Sequence, residues 1–208
     1  MSGGVEVKIL FQGDSVTDCK RNRQDPLSMG NGYVSIIADK IGTGHILLNK
    51  GESGDTTTAL RKRWNRDCID LAPDLLTILV GINDILRQHR WKRPVDTGLF
   101  GGNILSMLTT AKDKLPNVRI IVIEPFLIPV TPQQNNMLSD LRAIQSILEE
   151  ITRKMAADYI GLNDVFQEAC EDYPPIHWLS DGVHPTIAGH QLIADLWLRY
   201  VVDHGIMV

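Results

Sequence analysis

Four short polar clusters in this chain carry the kinds of side chain that hydrolytic chemistry uses. Ser15 closes the run Ile9-Leu10-Phe11-Gln12-Gly13-Asp14-Ser15 and offers a hydroxyl nucleophile. Asp181 and His184 stand three residues apart around Gly182, a spacing at which a carboxylate can orient an imidazole that acts as base. Between them in the chain lie Gly54, in Gly51-Glu52-Ser53-Gly54-Asp55, and Asn83, in Gly81-Ile82-Asn83-Asp84. If the clusters converge, Ser15 attacks a carbonyl carbon, His184 takes its proton and returns it to the leaving alcohol, and Asp181 fixes the imidazole tautomer. The backbone amides of Ser15 and Gly54 and the side-chain amide of Asn83 would then donate to the developing oxyanion, each worth roughly 3–4 kcal/mol. Taken singly these residues are ordinary turn and cap formers. What carries weight is their joint occurrence, in order, at successive strand ends.

The elements between them have the alternation that such convergence needs. Apolar runs at Ile9–Phe11, Ile46–Leu48, Leu75–Val80, Val118–Ile123 and Tyr159–Leu162 predict five strands. Helical spacing is expected over Tyr33–Ile41, from Thr56 to about Leu71, near Gly102–Leu115, over Met137–Met155, up to Cys170 and after Thr186. The polar stretch from Ser15 to Gly32 reads as a long loop, and so does the segment holding Trp91 and Pro94. Strands alternating with helices imply a mostly parallel sheet covered on both faces, because parallel neighbours need crossover connections. In such a sheet the carboxyl ends share one edge, so clusters far apart in sequence can meet there.

Composition narrows the partners. A chain of 208 residues with 43% hydrophobic content suits a single domain, 1–208. Its net charge of -4, without a run of like charges, gives no electrostatic footprint for nucleic acid or an anionic membrane. Met1–Lys8 lacks a basic region leading into a long apolar stretch, so a soluble, cytoplasmic protein is expected unless a leader has been removed. Cys19, Cys68 and Cys170 have no paired spacing, and the histidines show no ligand spacing, so neither a disulfide framework nor a metal is expected. No cofactor is called for. The expected partner is a small-molecule ester; self-association into a homo-oligomer stays open.

Gly13-Asp14-Ser15-Val16-Thr17-Asp18, Gly51-Glu52-Ser53-Gly54-Asp55-Thr56, Gly81-Ile82-Asn83-Asp84 and Asp181-Gly182-Val183-His184-Pro185 resemble the four blocks of the SGNH (GDSL-type) hydrolases. The resemblance implies a flavodoxin-like, three-layer α/β/α fold on a five-stranded sheet and a metal-free serine esterase. It places Ser15, Gly54, Asn83 and His184 in the family's four signature positions, with Asp181 completing the triad. Asp18-Cys19, Asn49-Lys50-Gly51, Arg63-Trp64, Arg87-Gln88 and Ala188-Gly189-His190 are further similar to intracellular acetyl-xylooligosaccharide esterases, and imply a carbohydrate acetylesterase. Lys20-Arg21 departs from that group where a glycine and an arginine are expected.

Other assignments compete with this one. Ser53 misses the Gly-x-Ser-x-Gly elbow by one residue, against an α/β-hydrolase. A lysophospholipase or acyl-thioesterase would share the triad, and a glycan-binding pseudoenzyme would keep only the crevice. Trp91 and Trp178 are placed in loops near the crevice as sugar-stacking candidates, with core packing as their alternative use. Asp14 is a candidate substrate contact, although it and Asp84 adjoin residues already assigned and fit better as braces to backbone amides.

Overall fold

The computed structural model describes residues 6–206; the stretch Met1–Val5, included in the reading of the N-terminus above, lies outside them. In chain order the elements are β1 (Lys8–Gly13), α1 (Ser15–Asp18), α2 (Tyr33–Ile41), β2 (Ile46–Asn49), α3 (Thr57–Asp67), β3 (Leu75–Leu79), α4 (Ile82–Arg90), α5 (Thr97–Lys114), β4 (Arg119–Ile123), α6 (Leu138–Lys154), β5 (Asp158–Ile160), α7 (Asn163–Asp172), α8 (Pro175–Trp178) and α9 (Ile187–Asp203). The five strands pair in parallel in the order β2-β1-β3-β4-β5. This is the flavodoxin-like winding, and it puts the topological switch point between β1 and β3.

Strand sequences explain the layers. Leu10, Leu76, Ile78, Ile120 and Val122 pack with residues of α3, α5 and α6 on one face, while Ile9, Phe11, Leu79, Ile121 and Ile123 pack with α2, α7 and α9 on the other. Side chains alternate between faces at a period of two, and both faces are covered, so the strands read as unbroken apolar runs. Thr77 is the polar exception in β3, and its hydroxyl accepts the Trp197 indole N–H at 3.0 Å inside the second layer. No helix among the described residues is long and apolar enough to cross a membrane.

The helices differ from the sequence reading in four places: the loop expected around Trp178 holds the single turn α8, opened by Pro175 at its first position, and three others have physical reasons of their own. The stretch expected as loop after Asn83 is α4, whose second half from Arg87 to Arg90 is wholly polar and which buries only Ile82 and Ile85. The helix expected near Gly102 begins earlier, at Thr97, because the Asp96 carboxylate accepts the Leu99 amide at 2.9 Å and caps it. The loop expected from Ser15 opens with the single turn α1, too short to show any periodicity.

Candidate active site

Gly13 ends β1 at a point where no side chain fits: a Cβ there would lie 2.3 Å from the Leu79 carbonyl oxygen. The chain then turns directly into α1. Asp14, 1% exposed, caps that turn by accepting the Val16 amide at 3.1 Å, so Ser15 is the first helical residue and stands at the carboxyl edge of the sheet. From the far end of the chain, the loop before α9 brings His184 to the same place. The Ser15 hydroxyl and His184 Nε2 are 2.9 Å apart, across 169 positions of sequence.

Asp181 completes the line and also builds the loop that carries it. Its Oδ2 meets His184 Nδ1 at 2.7 Å, while its Oδ1 accepts the backbone amides of His184 at 2.8 Å and Val183 at 3.0 Å. Partial burial alone would raise this carboxyl, but the His184 amide, the His184 imidazole and the Val183 amide outweigh it and hold it below the usual carboxylate range. A carboxylate that stays ionised there favours the tautomer with its proton on Nδ1, leaving the Nε2 lone pair toward Ser15.

The strand ends that carry Gly54 and Asn83 are tied to this centre. The Glu52 amide donates to the Gly13 carbonyl at 3.0 Å, and Asn83 Nδ2 donates to the Asp55 carbonyl at 3.1 Å, which brackets Gly54 between β1 and α4. Gly54 sits at φ 84°, in the left-handed region where glycine is favoured. Among the described residues neither the Ser15 nor the Gly54 amide has a hydrogen-bond acceptor. Asn83 retains its second amide hydrogen. Asp84 serves the same scaffold, taking the Thr57 amide at 2.9 Å and hydroxyl at 2.7 Å, and burial raises its carboxyl.

Several residues that organise the site carry no local sequence signal for that role. The Arg63 guanidinium, 10% exposed, donates to Asp55 Oδ2 at 2.7 Å, to Gln12 Oε1 at 2.9 Å and to the carbonyls of Lys50 at 2.8 Å and Gly13 at 3.2 Å. It therefore clamps the ends of β1 and β2 together beneath Ser15. Asp18 accepts the Ser53 amide at 2.9 Å and hydroxyl at 2.5 Å, fastening α1 to the turn that precedes Gly54. His190 accepts the Tyr33 amide on Nδ1 at 3.1 Å, so its Nε2 carries the proton and faces the Cys19 sulfur at 3.3 Å. Burial pushes His190 down to about 4, which keeps this pin between α1, α2 and α9 uncharged.

Three residues expected to touch substrate do not line the cleft at Ser15. Asp14 is sealed beneath α1 by its cap to Val16. Trp91 terminates α4 about 12 Å of helix away from Asn83 and is 71% exposed. Trp178 gives its indole N–H to the Ala169 carbonyl at 3.0 Å and packs edge-on against Tyr173 and His177, the packing alternative for tryptophan.

Burial has one measurable consequence here. Enclosure raises the Asp14 carboxyl from 3.8 to about 7. The folded state then binds a proton that the unfolded state has released, so this group's contribution to stability is full below its unfolded value and is lost as pH rises toward about 7. Asp14→Asn keeps the acceptor for Val16 and removes the titration. Urea unfolding at pH 5 and pH 8 should show the wild type losing more stability than the variant between the two, a difference of the order of a few kcal/mol. Equal losses would place the proton elsewhere.

Hydroxyl, imidazole and carboxylate in line, with free amides beside them, are suited to acyl transfer. The sequence matches the model of the GDSL-like Lipase/Acylhydrolase family over residues 11–192, and the chain belongs to that family. It is a carboxylic ester hydrolase with the SGNH fold. Among characterised relatives it is 29% identical to an acetylxylan esterase of Geobacillus stearothermophilus over 97% of this chain and 96% of that protein. A catalytic mutant of that acetylxylan esterase, Axe2, superposes with a TM-score of 0.84, covering 96% of this chain and 95% of its own at 29% identity. The structure of a GDSL-like lipase from Parabacteroides merdae superposes with a TM-score of 0.86 at 30% identity, covering 93% of this chain and 94% of its own.

Proposed function

We propose that the chain is a serine esterase that removes short acyl groups, acetyl first among them, from carbohydrates. Ser15 Oγ attacks the ester carbonyl as its proton passes to His184 Nε2, and the tetrahedral oxyanion takes hydrogen bonds from the Ser15 and Gly54 amides and Asn83 Nδ2. Collapse expels the alcohol, which receives the proton from Nε2 and leaves an acyl-Ser15. Water then attacks this ester with His184 again as base, and the acid departs as Ser15 regains its proton. The observation that carries the reading is the Ser15–His184–Asp181 line, 2.9 Å and 2.7 Å in its two steps. The similarity to an acetylxylan esterase supports the choice of a sugar ester.

A matched panel tests it: acetylated sugars, long-chain esters and acyl-thioesters compared by kcat/KM. The acetylated sugars should lead; long-chain esters in front would make the chain a lysophospholipase, and thioesters in front an acyl-thioesterase.

Asn83 has a narrower test. Asn83→Ala should lower kcat by about 10²–10³ with little change in KM, because a donor to the oxyanion acts after the ground state. A rise in KM alone would make Asn83 a substrate-binding residue and remove it from the oxyanion hole.

A further inference from the structure

The cleft beside Ser15 has a volume of about 560 Å³, within the range of small-ligand sites. Its wall includes Lys20, Asn31, Ser53 and His184. Among the described residues that line it, Lys20 alone carries a permanent charge and none is a carboxylate. The neighbouring loop charges are paired off: Arg23 with Asp18 at 2.9 Å and with Glu52 at 3.2 Å, and Arg21 lies 3.6 Å from Glu52, while the Asp181 carboxylate is turned to His184 Nδ1 at 2.7 Å. The exposed Lys20 ammonium has no ion-pair partner among the described residues.

Its backbone makes this placement informative. Lys20 is held at φ 63° directly after Cys19 at φ 35°, both in the left-handed region where glycine would be less strained. The turn is closed by its own Arg21 amide, which donates to the Asp18 carbonyl at 2.9 Å, and is held from outside by the Asn31 amide, which donates to the Cys19 carbonyl at 2.8 Å. Strained residues of this kind persist where the surroundings over-determine them, and they cluster at ligand sites. The same turn sets the exposed Asn31 beside Lys20, adding amide donors to the ammonium.

We propose that Lys20 and Asn31 form a recognition site for a carboxylate carried by the alcohol part of the ester, so that acylated acidic sugars are preferred over neutral ones. The assignment rests on the esterase reading of Ser15 and names the substrate class for that site. A compact, solvent-facing ammonium gives point-charge recognition that weakens with salt.

The test compares kcat/KM on acetylated glucuronic acid, on acetylated glucose and on p-nitrophenyl acetate. At low ionic strength the wild type should favour the uronate over the neutral sugar by about threefold to fivefold, the effect of one exposed ion pair, and high salt should shrink that ratio. Lys20→Asn, a neutral residue that tolerates the left-handed conformation, should bring the ratio near one, and Lys20→Glu should invert it. A wild-type ratio near one, or a ratio that Lys20→Asn leaves intact, overturns the proposal while p-nitrophenyl acetate turnover leaves the esterase reading standing. No turnover of any of the three esters overturns both.

Discussion

Ser15→Ala should lower kcat for p-nitrophenyl acetate by about 10⁴–10⁶ without unfolding the protein, the scale seen when a triad nucleophile is removed. Alanine keeps the Cβ and the helical backbone of α1, and its entry is held by the Asp14 cap to Val16, which the substitution does not touch. The bond lost is the one from Ser15 Oγ to His184 Nε2, and with it the only hydroxyl placed 2.9 Å from that imidazole among the described residues. The remaining groups could still orient a water and stabilise its oxyanion, which is why a residual rate above background is compatible with the mechanism. Circular dichroism and a melting curve should match the wild type. Turnover retained within tenfold in a pure sample would mean that another group attacks the ester.

The sequence made the sheet and the reacting side chains readable for different reasons. Strands β1, β3 and β4 are buried on both faces, so each appears as a continuous apolar run that no turn would carry. Ser15, Asp181 and His184 stood out because their chemistry is local to the side chain and their order along the chain follows that of the strand ends. Helix α4 is hidden because it buries only Ile82 and Ile85, with Leu86 half-buried beside them, and starts at Gly81 without a side-chain cap. Without that helix in view Trp91 reads as a loop residue near the crevice, whereas the intervening helical turns carry it to the surface. Arg63 and His190 could not be assigned their roles from spacing. The carbonyls of Gly13 and Lys50 come together for Arg63 only after β1 and β2 pair, and Cys19 meets His190 across 171 positions. These residues act through what they hold in place, a role that exists only once distant segments have converged.

Asp181→Asn should cost about 10⁴ in kcat, the value for forcing a triad histidine into the wrong tautomer, although it changes one atom and no shape. The reason lies in how the two carboxylate oxygens are used. Oδ1 accepts the backbone amides of Val183 and His184, and those bonds form the turn that presents the imidazole. An asparagine can preserve the turn only by keeping its carbonyl oxygen there, which aims its NH₂ group at His184 Nδ1, 2.7 Å away in the wild type. A donor facing Nδ1 requires that nitrogen to accept, so the proton moves to Nε2 and the lone pair that should receive the Ser15 proton is gone. Flipping the amide would restore the tautomer at the expense of the turn, because the NH₂ would then face two N–H donors. Asp181→Ala removes both functions at once, whereas Asp181→Asn isolates the tautomer, so the asparagine variant should keep the wild-type fold by circular dichroism while losing its rate. A loss below tenfold would show that His184 holds the correct tautomer without Asp181, and the carboxylate would then be a turn former alone.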